Sequence, residues 1–89
     1  MQILCTPTYE KQLKDILDEF ALEDFLATKK FKLYLDTILV NLPTKAHKYK
    51  QSALFNDENI KEIPHEAYNV IFFHDKTNNN YLIMGILKK

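Results

Sequence analysis

The sequence predicts an α+β fold: an N-terminal strand, an antiparallel helical hairpin, and a twisted antiparallel sheet of about four strands, in the order β-α-α-β-β-β. Three observations predict it. Two stretches in the first half place apolar residues at helical spacing. The second half is rich in β-branched and aromatic residues and is broken by an Asn-rich turn. The 89 residues suffice for one domain spanning 1–89 and not for two.

Gln2 to Cys5 reads as a short strand carrying Ile3, Leu4 and Cys5. Thr6-Pro7-Thr8 breaks it, and Thr8 is the expected N-cap of the next helix. From Tyr9 onward Leu13, Ile16, Leu17, Phe20 and Ala21 mark one helical face. Glu10, Lys11, Lys14, Asp15 and Asp18 lie opposite, with Glu10 and Lys14 four apart in the favourable order. A break is expected near Leu22 to Asp24, and a second helix over about Asp24 to Asn41. In that helix Phe31, Leu35, Ile38, Leu39 and Leu42 repeat the spacing of the first, and Pro43 is expected to end it. Two amphipathic helices on a short link pack antiparallel and still need a further apolar layer.

Residues 44 to 59 read as polar and irregular, closing on the turn signal Asn56-Asp57-Glu58-Asn59. Ile60 to Ile63 alternates outward and inward, and Pro64 to Ala67 is expected to turn the chain. Tyr68 to Phe73 and Tyr81 to Leu87 are two strands joined by a hairpin turn at Lys76 to Asn80. Gly85 marks a bulge or a close backbone approach.

Composition excludes several functions. Hydrophobic residues make up 46% of the chain, which argues against global disorder. Twelve acidic and twelve basic residues cancel, whereas nucleic-acid binders carry a positive excess for phosphate contacts. All twelve basic residues are lysine, so the planar fork of arginine is absent. With Cys5 alone there is no internal disulfide, and the expectation for Cys5 is a buried, inert thiol. His47, His65 and His74 lack metal-ligand spacing, so neither a metal nor a cofactor is expected. No apolar run is long enough to span a bilayer and no secretory leader is visible, so the expected location is the cytoplasm.

The element order and three segments resemble the RelE/ParE toxin superfamily. The first segment is Tyr49 to Ile63, in which Lys61-Glu62 is similar to the basic–acidic pair on the central strand of ParE-like proteins. The second is Ala67-Tyr68-Asn69-Val70-Ile71-Phe72, similar to the family's aromatic-plus-aliphatic strand, and the third is Ile83-Met84-Gly85-Ile86, similar to its final strand. The resemblance implies the toxin half of a bacterial type II toxin–antitoxin pair, neutralised by a small cognate antitoxin. It also allows a homodimer, or a heterotetramer with the antitoxin. RelE-like members cut mRNA on the ribosome, and ParE-like members inhibit DNA gyrase.

Cleavage of RNA through its 2′-OH needs a base, an acid and positive charge at the phosphate. For a nuclease the candidates here are Lys61 for charge and His74 and Tyr81 for proton transfer. Tyr81 is expected to face His74 across the hairpin, an arrangement more typical of surface packing than of catalysis. The C-terminus, Leu87-Lys88-Lys89, has no acid or base, so the favoured reading is a ParE-like protein that acts by binding. Its candidate contacts for target or antitoxin are Lys61, Glu62, Phe72, Phe73 and Lys88. Phe72 and Phe73 are adjacent, so one of them faces away from the helices. The alternatives are a RelE-like mRNA interferase and a non-toxic relic that only binds an antitoxin.

Overall fold

The computed structural model describes residues 2–89. The first strand, β1 (Gln2–Cys5), leads into α1 (Pro7–Glu23) and α2 (Phe25–Val40). A short helical turn α3 (Leu42–Lys45) and a 3-10 turn (Ala46–Lys48) follow. The strands β2 (Ile60–His65), β3 (Tyr68–Asp75) and β4 (Asn80–Lys88) complete the chain. The α+β order is therefore the one read from the sequence.

The caps explain where the helices begin. Thr6, not Thr8, is the N-cap of α1: its Oγ1 accepts the Tyr9 N–H at 3.1 Å, and Pro7 occupies the first helical position, where a missing N–H costs nothing. Asp24 closes α1 through its own N–H to the Phe20 carbonyl (2.9 Å) and opens α2 by accepting the Ala27 N–H (3.0 Å). One residue therefore serves both helix ends, which is how the hairpin turns without a glycine. The second helix stops at Val40, before Pro43, and Pro43 lies in the first turn of α3. The exposed ladder on α1 pairs Lys11 with Asp15 and Lys14 with Asp18, rather than Glu10 with Lys14.

The sheet order is β1-β4-β3-β2. The pairs β2–β3 and β3–β4 are antiparallel, but β1 runs parallel to β4, so the sheet is mixed rather than wholly antiparallel. Parallel neighbours need a long crossover, and here nearly the whole chain supplies it. Pro64 does not turn the chain: it pairs with Asn69 inside β2. That strand lies at the sheet edge and the Pro64 side chain is exposed, where a proline is tolerated. The turn falls on Glu66-Ala67, with Glu66 at φ 54°. A register shift between Ile71 and Phe72 marks a β-bulge against β4.

The core lies between the helical hairpin and one side of the sheet. Tyr9 and Leu13 of α1, Phe31, Leu35 and Leu39 of α2, and Leu42 pack on Ile63, Val70, Phe72, Tyr81, Ile83 and Ile86. The rings of Phe20, Phe31 and Tyr68 meet edge to face at 5.2–6.0 Å. His65 is buried beside them and Nε2 donates to the Phe31 carbonyl at 3.3 Å, tying the end of β2 to α2. Ile16, Leu17 and Ile38 are half-buried as their spacing implies, whereas Phe25 is exposed and not in the core. No helix among the described residues is long and apolar enough to cross a membrane.

Where β1 ends, β4 continues with an open edge, and α1 seals it. The Thr6 N–H donates to the Ile83 carbonyl (3.0 Å) and Thr6 Oγ1 donates to the Met84 carbonyl (3.1 Å). One turn later Gln12 Oε1 accepts the Ile86 N–H at 2.9 Å. A Cβ on Gly85 would stand 2.8 Å from that same oxygen. Glycine is thus required at 85 for the side chain of Gln12 to stand in for a strand. Gly85→Ala should displace Gln12, leave the Ile86 N–H unpaired and lower stability by about 1–3 kcal/mol. Denaturant unfolding of Gly85→Ala, Gln12→Ala and the double variant checks this: the two effects should be strongly non-additive, and simple additivity would contradict it.

Candidate functional site

The hairpin β3–β4 and the edge strand β2 position every candidate side chain. Alternation along β2 sends Lys61 and Glu62 to opposite faces. Lys61 pairs in register with Phe72 on the helix side, and its Nζ reaches the Ala46 carbonyl at 3.4 Å. Glu62 is buried on the outer side, with Lys50 Nζ 3.9 Å away.

The two phenylalanines divide in the same way. Phe72 is fully buried in the core, against Tyr49 and Tyr81, and offers no surface to a partner. Phe73 is half-buried and points to the outer face. Lys88 is exposed near the end of β4 and lines an outer hollow of about 330 Å³ with Glu62, Asn69, Ile71, Leu87 and Lys89. A second outer hollow is formed by Leu54, Phe55, Ile71, Met84 and Leu87. Gln51 and Ser52 pair along the edge of β2, and Ala53 to Phe55 then lie against the outer face. They cover Ile71, which is buried, while Leu54, Phe55 and Leu87 remain exposed. Sequence reasoning assigned Leu54 and Phe55 to an irregular stretch and gave them no role. Their apolar character inside a polar segment was the available signal.

His74 and Tyr81 are opposite one another, as expected, with ring centroids 4.5 Å apart and planes 14° from parallel. That is a stacked pair. Tyr81 is buried and belongs to the core cluster, so it is a platform for His74. Burial, then Lys76, then Lys61 hold His74 below its ordinary value, while Asp75 works weakly in the other direction. Asp75 is itself held low by hydrogen bonds from Asn78, whose Nδ2 lies 2.8 Å from Oδ2. Lys61, His74 and Tyr81 thus occupy one end of the helix-facing side.

A groove of about 360 Å³ runs between α1, α2 and β1, lined by Cys5, Tyr9, Leu13, Leu17, Lys32 and Leu39 among others. Cys5 is exposed, not buried, because β1 is an edge strand. Its thiol is pushed up by partial burial and then by Glu10 and Asp36, which keeps it protonated and a poor nucleophile. The buried Tyr9 hydroxyl has no hydrogen-bond partner among the described residues. Those residues contain no cluster of three or more His, Cys, Asp or Glu side chains suited to a metal ion.

No protein-family model and no curated protein matches the chain. Among solved structures, a chain of the chromosomal ParDE TA system from P. aeruginosa superposes with a TM-score of 0.77. The match covers 99% of this chain and 95% of that one, at 13% sequence identity. The chain shares the fold of that ParDE chain. Within that fold the sheet carries two distinct surfaces: a helix-facing end with Lys61, His74 and Tyr81, and an apolar outer face with Phe73, Glu62 and Lys88.

The depressed His74 has a measurable consequence. The folded chain releases this proton more readily than the unfolded chain, so the stability His74 contributes is present above 6.5 and is lost as pH falls from 6.5 through its folded value. The ring protons of His74, followed by NMR, should titrate with a midpoint below 6.5, and Lys76→Gln should raise that midpoint. A midpoint at or above 6.5 would contradict the local electrostatics.

Proposed function

We propose that this protein is the toxin of a toxin–antitoxin pair and that it acts by docking on a cellular target, DNA gyrase, rather than by cutting RNA. A small cognate antitoxin neutralises it in this reading. The observation that carries the proposal is the fold likeness to a ParDE chain along nearly the full length of both chains.

The arrangement of the candidate acid and base favours docking over cleavage. His74 meets Tyr81 face to face, and no side-chain hydrogen bond among the described residues orients its imidazole toward a substrate. Lys61 is directed at the Ala46 carbonyl. The chain has no arginine to neutralise the charge that grows on a phosphate in the transition state. The outer face offers what docking needs: exposed Leu54, Phe55 and Leu87, half-buried Phe73, and an exposed charge at Lys88 beside the buried Glu62. Neither Lys61 nor Phe72 belongs to that face. The docking set therefore becomes Glu62, Phe73 and Lys88, extended by Leu54, Phe55 and Leu87.

One observation favours a second reading. Lys61, His74 and Tyr81 share one end of the sheet, and His74 is tuned toward the neutral form that a general base needs. That reading is a RelE-like mRNA interferase.

Purified chain should inhibit DNA supercoiling by gyrase, and the antitoxin should reverse the inhibition. His74→Ala and Lys61→Ala should change inhibition by less than about threefold, whereas Phe73→Asp or Leu87→Asp should weaken it by tenfold or more, on the order of 1.4 kcal/mol. New mRNA 5′ ends on induction, lost by about 10²-fold or more in His74→Ala, would overturn the docking account in favour of the nuclease. Growth unaffected by induction would overturn both.

A further inference from the structure

The second helix is apolar on both sides. Its inner side buries Phe31, Leu35 and Leu39 against the sheet. Its outer side presents Leu26, Leu33 and Val40, which are 70%, 63% and 73% exposed. These three are spaced by seven residues, so they form one line along the helix that drifts by only about 20° per step. Leu22, at the end of α1, is also exposed beside this end of the hairpin. The outer side of α1, by contrast, is the charged ladder of Lys11, Lys14, Asp15 and Asp18.

We infer that the outer face of α2 is a two-fold interface with a second copy of this chain, in which the two α2 helices pair antiparallel about Leu33. The spacing is self-complementary in that arrangement. Leu33 meets the partner's Leu33, and Leu26 meets the partner's Val40, which gives each copy the same seam. The flanking charges select the direction. Lys29, four residues before Leu33, and Asp36, three residues after it, lie on the same flank of the line, and Asp36 also pairs with Lys32 of its own helix at 2.6 Å. Antiparallel pairing brings Lys29 against the partner's Asp36, and Lys30 against the partner's Thr37. Parallel pairing would instead set Lys29 against the partner's Lys30, a repulsive contact. The outer sheet face stays free in this dimer, so the inference is independent of the proposed target, whereas the flank carrying Asp36 adjoins the groove between α1, α2 and β1.

Sedimentation of the full chain should give about twice the 10.5 kDa of one copy. Leu33→Glu, at an exposed position, should keep the circular dichroism of the parent and weaken dimerisation by about a hundredfold, the loss of a buried leucine contact plus two buried charges. Lys29→Glu should weaken it by about tenfold, and Lys29→Glu with Asp36→Lys should restore it. In a Cys5→Ser background, Leu33→Cys should form a disulfide-linked dimer on oxidation, whereas Leu26→Cys alone should not. A parent chain that stays monomeric at high micromolar concentration overturns the inference. So does a dimer indifferent to Leu33→Glu, or one in which Leu26→Cys cross-links as readily as Leu33→Cys.

Discussion

The structure depends on the parallel pairing of β1 with β4. A strand of four residues is a weak element by itself, yet its pairing joins the two ends of the chain: Thr6 bonds to Met84, 78 residues away. Because β1 and β4 run the same way, the connection between them must cross over the sheet, and the helical hairpin lies within that crossover. The start of α1 is then fixed beside the open edge of β4. From there Gln12 completes the edge that β1 leaves unfinished, and Gly85 permits its approach. The same tie brings Tyr9 and Leu13 over Ile83 and Ile86, and so sets where the helices cover the sheet.

That covering decides which side chains are available for function. Phe72, Tyr81 and Ile83 are taken up by the core, so the helix-facing side offers only its end, where Lys61 and His74 sit at the margin of packed aromatic rings. The opposite side is only partly covered, by the loop carrying Leu54 and Phe55. A small sheet with one sealed face and one half-covered apolar face is suited to contact with a partner protein. His74 stacks on Tyr81 at the hairpin end, at the margin of that core.

Much of this architecture was legible in the sequence because periodicity reports burial. The lines Leu13–Phe20 and Phe31–Leu42 and the alternation in Tyr68–Phe73 named most of the core. The His74–Tyr81 pairing followed from the length of the Lys76–Asn80 turn. What was hidden depended on long-range geometry. Gln2–Cys5 carries no mark of strand direction, so the parallel pairing was invisible. Leu26, Leu33 and Val40 lie between core positions and read as ordinary helix content until their exposure is known. Cys5 looked buried from its apolar neighbours, but an edge strand exposes one side. Pro64 signalled a turn, and only its place on an edge strand explains why β2 continues through it. The candidate contacts were legible as residue types and not as one site, because alternation places Lys61 and Phe72 on the helix side and Glu62 and Phe73 on the outer side.

The most direct test of this account is native-state hydrogen exchange of the Thr6 and Ile86 amides, which donate to Ile83 and Gln12 at the β1–α1 junction. If the junction organises the fold, both amides exchange only through global unfolding, with the same free energy as the central amides of β3. Exchange of Thr6 and Ile86 at rates typical of exposed loops, while β3 stays protected, would show that the sheet and helices hold together without the tie, and would contradict the account.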